Sequence, residues 1–154
     1  MFRSIVVGTD GSANAGEAVR QAAQLAATLG ARVHLVCVYE PVPSRGADAG
    51  AGASGEGLGV SHEESGWLLR PREAVEETLG EAAAVFAAAG VEVERYAQRG
   101  DPADAILDVA EEQGADLIIV GNRGRTGAKR FLLGSVPNRV SHHAPCAVLI
   151  IRTG

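Results

Sequence analysis

Two periods of apolar spacing alternate along this chain. Arg3–Thr9 (RSIVVGT) is short and rich in branched residues, and reads as a strand. From about Ala13 to Gly30 the period becomes helical: Ala15, Ala18, Val19, Ala22, Leu25, Ala26 and Leu29 form one stripe, and Gly30 suits the position just past a helix end. Arg32–Tyr39 is predicted as the second strand. Residues 70–89 are predicted as a helix with Val75, Leu79, Ala82, Val85, Phe86 and Ala89 inward. Val91–Gln98 alternates less cleanly, which places this third strand near a sheet edge. Asp101 is expected to cap the next helix, with Pro102 at its first position, Asp104 near its positive end and Gly114 as its stop. Asp116–Val120 is the fourth strand, Ser135–His143 the last helix, closed by Pro145, and Cys146–Arg152 the fifth strand.

Strands that alternate with helices imply an α/β fold: a five-stranded, mostly parallel sheet with helices on both faces, Rossmann-like. In such sheets ligands sit beyond the carboxyl ends of the strands, where strand order switches. Two turns follow strands and are expected to face one pocket there: Gly8-Thr9-Asp10-Gly11-Ser12, and the loop that begins at Gly121. All of 1–154 is expected to be one domain. Pro41–Gly66, rich in Gly, Ala and Ser, is expected to be a flexible insertion beside the pocket. A flap that orders over ligand and a spacer without a role are both open for it.

Composition narrows the class. At 154 residues and 46% hydrophobic, the chain can bury a substantial core, which with only 4% aromatics must be built from Ala, Val, Leu and Ile. No apolar run reaches the roughly 20 residues of a membrane helix, and the N-terminus leads directly into a strand pattern. With Cys37 and Cys146 in apolar strand-like runs, this suggests a cytoplasmic protein with reduced thiols. A net charge of −5 argues against general nucleic-acid binding. Residues 121–139, however, hold Arg123, Arg125, Lys129, Arg130 and Arg139 without an acid, so this segment carries +5 and leaves −10 on the rest. An acidic body with one basic loop suits a small anionic ligand.

The glycine spacing sharpens that reading. Leu117-Ile118-Ile119-Val120 leads into Gly121-Asn122-Arg123-Gly124, and nine residues later comes Gly134-Ser135 at a helix start. A buried strand, a glycine loop and a helix N-terminus in that order make a place for phosphate. The P-loop spacing is absent.

Thr9-Asp10-Gly11-Ser12, the run Ala115–Gly121, the G-x2-G-x9-G-S spacing and the final His143-Ala144-Pro145-Cys146 together resemble the universal stress protein family, over the whole chain. The glycines resemble its ATP-binding branch. The resemblance implies a site for adenine nucleotide. Asp10, with Gly8 and Thr9 in the same turn, would lie near the adenine. The backbone of Val38 would meet the adenine edge, and Val120 would pack under base and ribose. Gly121, Arg123 and Gly124 would run along ribose and phosphates, and Gly134, Ser135 and Val136 would donate to the terminal phosphates. Asn122 stands where the family varies. Pro137 removes one donor from the first turn. Mg²⁺ or Mn²⁺ would be carried by the ATP. The family resemblance also implies a homodimer through strand 146–152, whose edge would invite a partner strand.

Three functions stay open. One is an ATP-dependent switch or regulator in stress response. The second is a slow ATPase or adenylate-handling enzyme, for which Asp10 is the good carboxylate candidate and Glu40 a weaker one. The third is an interaction module without nucleotide. Ser12 and Ser135 read as helix caps rather than nucleophiles. His142 and His143 point about 100° apart on a helix and cannot chelate one metal, while His34 lies in a strand and His62 in the insertion.

Overall fold

A computed structural model describes residues 1–39, 71–122 and 134–153. Strand β1 (Ser4–Gly8), β2 (Arg32–Tyr39), β3 (Val93–Arg99), β4 (Leu117–Gly121) and β5 (Ala147–Ile151) form one parallel sheet in the order β3-β2-β1-β4-β5. Between them run α1 (Ala13–Leu29), α2 (Arg72–Ala88), α3 (Pro102–Glu112) and α4 (Ser135–His143). The expected insertion 41–66, with Glu40 and His62, and the loop residues Arg123, Gly124, Arg125, Lys129 and Arg130 lie outside the described residues.

Each central strand is buried on both faces, which is why β1, β2 and β4 read as continuous apolar runs. Ile5, Val7, Val33, Leu35, Cys37, Leu117 and Ile119 pack with α1 and α2 in one core. Val6, Val36, Val38, Ile118 and Val120 pack with α3 and α4 in the other. Alternate residues of each strand serve opposite cores because the side-chain period is two.

The lower end of the sheet, where the strands begin, is closed by one device used three times. Gly30, Gly90 and Gly114 each follow a helix at positive φ (66°, 77° and 62°). Each donates back to the carbonyl three residues earlier, and the next residue (Ala31, Val91, Ala115) donates to the carbonyl five residues earlier, at 2.9–3.0 Å. This is a Schellman closure, and the three residues after the glycines are buried. It also explains why β3 begins at Val93 rather than Val91: the amide of Val91 belongs to the end of α2. Ala89, expected inward, is exposed because it lies at the cap, past the last full turn. Buried Thr78 joins the inward face instead.

The two sheet edges differ. On β3, Glu94, Arg95 and Arg99 are exposed, and such charge discourages strand addition. Edge strand β5 reads AVLII, with Leu149 38% exposed. Cys146, expected in the strand, precedes it and is half-buried. Burial and then the Asp116 carboxylate push its thiol pKa up. Among the described residues no helix is long and apolar enough to cross a membrane.

On β2, His34 is buried. Its Nδ1 lies 3.0 Å from the Tyr96 hydroxyl, which donates to Glu94 at 2.8 Å. Since that O–H is used, Nδ1–H is the donor to Tyr96. Burial lowers the His34 pKa against the opposing pull of Glu94, and Arg32 lowers it further. Burial and the Glu94 bond push Tyr96 up to about 12.

Candidate functional site

Strand order switches at β1, whose neighbours are β2 on one side and β4 on the other. The register Ile5↔Leu117 through Val7↔Ile119 places the turn after β1 and the turn after β4 side by side on the upper rim. This is the crevice where parallel sheets take ligands.

The turn after β1 is held by its own side chains. The Thr9 amide donates to Val36 at 3.0 Å and prolongs the ladder. Thr9 Oγ1 accepts from the Gly11 amide (3.3 Å), Asp10 Oδ1 from Ser12 (2.9 Å), and Ser12 Oγ from Ala15 (3.0 Å). Gly11 supplies a φ of 81°, and Ser12 caps α1 as its sequence suggested. Thr9 and Asp10 are 2% and 1% exposed. Asp10 therefore works first as a turn-former.

Gly8 is the last residue of β1 and not part of the turn. A Cβ there would stand 2.6 Å from Ile106 Cδ1. Its glycine is explained by the packing of α3 on the sheet.

Val38 and Val120 are both buried in the α3/α4 core. The carbonyl of Val36 serves Thr9. Two residues on, the main chain of Val38 turns to the same side, past the point where β1 has ended. That leaves a strand-end peptide facing the rim. Val120 is buried and Gly121 ends β4 half-buried.

Gly134, Ser135 and Val136 form the start of α4. Gly134, not Ser135, is the N-cap, at ordinary extended dihedrals (φ −65°, ψ 167°), and as a glycine it brings no capping side chain of its own. Ser135 is the first helical residue, so the capping role expected of it falls to the glycine's main chain, whose carbonyl accepts from Asn138 at 3.2 Å. Val136 and Pro137 are buried. The first amides and the positive dipole end of α4 lie at this rim, where main-chain N–H groups can meet an anion. His142 and His143 sit at its negative end.

Arg139 does not add to the basic loop. Its guanidinium donates to Asp101 (2.7 Å) and Asp104 (2.9 Å) at the start of α3. Arg123 and Gly124 lie outside the described residues.

Sequence reasoning passed over Asn122. It is 6% exposed and its carbonyl accepts from Gly134 at 2.9 Å. Its Oδ1 accepts from the amide (3.0 Å) and the hydroxyl (3.3 Å) of Thr153. The available signal was an amide side chain directly after a buried strand, where a buried polar group must find partners.

Residues 1–152 match the Universal stress protein family, and the chain belongs to that family. It is 37% identical to a universal stress protein of Thermus aquaticus over 153 residues, covering 99% of this chain and 100% of that one. Among solved structures it is similar to a universal stress protein in complex with cAMP, with a TM-score of 0.71, 31% identity, and 99% and 98% of the two chains covered. It is also similar to the Archaeoglobus fulgidus universal stress protein in complex with dAMP, with a TM-score of 0.62, 27% identity, and coverage of 97% and 98%.

Proposed function

We propose that this chain is an ATP-binding universal stress protein, a switch whose nucleotide state alters assembly or partner choice. One observation carries the reading: the turn after β1 and the glycine-started α4 meet the same switch-point rim, with the Val38 peptide between an apolar core and that rim. Adenine needs an apolar slot with edge hydrogen bonds, and a phosphate tail needs main-chain donors. The complexes of two relatives with cAMP and dAMP support an adenine nucleotide here.

In this reading Val38 and Val120 hold the base, with Gly8, Thr9 and Asp10 shaping the turn beside it. Gly121, Arg123 and Gly124 follow ribose and phosphates, and Gly134, Ser135 and Val136 receive the terminal phosphates. The carboxylate on the turn, Asp10, is buried and tied to Ser12. Mg²⁺ or Mn²⁺ would therefore be held by phosphate oxygens and water. A homodimer through 146–152 fits the apolar edge of β5.

Mass spectrometry of the denatured protein tests this directly. The expected result is co-purified ATP, with turnover slower than minutes. Fast turnover would replace the switch with an enzyme. Absence of nucleotide, with no gain in heat stability at millimolar ATP, would overturn the reading.

A further inference from the structure

We propose that Asn122 is a positioning residue through which the C-terminal tail sets the phosphate end of the site. The inference rests on the nucleotide reading above and goes beyond it.

Three elements meet at this residue. Its amide donates to the Ile151 carbonyl of β5, and its carbonyl accepts from Gly134, where α4 begins. Its side-chain oxygen accepts both donors of Thr153, just past β5. Asn122 and Thr153 are 6% and 8% exposed, so water does not replace a lost partner without local opening.

Position follows from this. One peptide hydrogen bond joins Gly134 to Asn122. That bond fixes where α4 starts relative to β4, and so where the amides of Ser135 and Val136 lie. The Asn122 side chain fixes the same peptide from the other side, through Thr153. Without the Thr153 donors, a buried acceptor is left unmatched. The side chain must then turn toward water and carry its carbonyl with it. Donors to an anion lose most of their value when displaced by a fraction of an ångström. The loss falls on phosphate contacts and spares the adenine slot, which is built on β1, β2 and β4. Linkage is reciprocal, so a polyphosphate bound at α4 also tightens the tail.

The test compares ATP with adenosine by calorimetry on full-length wild type, Asn122→Ala, Thr153→Pro (which lacks both donors) and Thr153→Ser (which keeps both). Asn122→Ala and Thr153→Pro are expected to weaken ATP about tenfold and leave adenosine unchanged. Thr153→Ser should match wild type. In wild type, ATP but not adenosine should slow hydrogen exchange at the Thr153 amide. If Asn122→Ala fails to fold, the two Thr153 variants decide. Wild-type ATP affinity in the variants, or equal loss of ATP and adenosine, overturns the positioning role and leaves the nucleotide reading standing. A wild type that binds neither ligand overturns both.

Discussion

Ile106 of α3 occupies the space that a side chain on Gly8 would need: an added Cβ would stand 2.6 Å from Cδ1 and 3.2 Å from Cγ1. Ile106 is fully buried, so its methyl has little room to swing. Gly8→Ala is therefore expected to cost about 1–2 kcal/mol, read as a lower urea midpoint. Ile106→Val removes Cδ1 and should make the second substitution cheaper. A purely additive double mutant would show that the two sites do not touch.

Asp10 joins two roles that substitution can separate. Asp10→Asn keeps an oxygen for the Ser12 amide, so stability should change little. Asp10→Ala removes it and should cost about 1 kcal/mol. Both are expected to weaken adenine nucleotides if the charge meets the ligand, whereas only the alanine variant should do so if the turn alone matters. Thermal melts and nucleotide titrations on the same samples distinguish these outcomes.

The Asp116 carboxylate accepts from the amides of Arg3 (3.2 and 3.0 Å) and Ser4 (3.1 Å), while its own amide donates to Ser4 (2.9 Å). It fastens the start of β1 to the start of β4. Asp116→Ala should lower stability by about 1–2 kcal/mol and leave ligand affinity untouched, because the contact lies at the opposite end of the sheet.

Arg139 looks stronger than it is. Its side chain is 46% exposed, and Asp101 and Asp104 are 41% and 60% exposed. Solvent screens such pairs, and Arg139→Ala should cost less than about 1 kcal/mol. The difference between variant and wild type should shrink in about 1 M salt. An undiminished difference there would point to packing of the side-chain stem.

Acid should weaken the fold through His34. Burial holds its folded-state pKa below the ordinary 6.5. The unfolded chain then takes up the proton first, so stability falls as pH drops through 6.5 and levels off below the folded value. Tyr96 acts at the other end: with its pKa raised to about 12 from 10.0, stability should fall as pH rises across that window. In urea titrations His34→Gln is expected to flatten the acid slope. A slope equal to wild type would assign acid lability elsewhere.

Much of the frame was legible because local signals agreed. The stripe of α1, the Ser12 cap and Gly30 all pointed to one helix, and β2 and α4 came out at the expected residues. The third strand did not, because Val91 is apolar whether it belongs to a strand or to a helix closure, and only the bond to Phe86 decides. The turn after β1 and the start of α4 were legible as strand–turn and turn–helix, which depend on neighbours in sequence. The packing reason for Gly8, the pairing of Arg139 and the contact of Asn122 depend on residues far away in the chain, at Ile106, Asp101 and Thr153. A local pattern can show that Asn122 needs partners, but it does not name those distant residues.

The three glycine closures share one end of the molecule. The passages into β2, β3 and β4 there are fastened by the same pair of amide bonds, while the turn after β1 and the start of α4 lie at the opposite rim. Insertions and new recognition chemistry can accumulate on that rim over evolutionary time without retuning the base beneath, so designers seeking altered ligand preference should graft there and leave the glycine end as found.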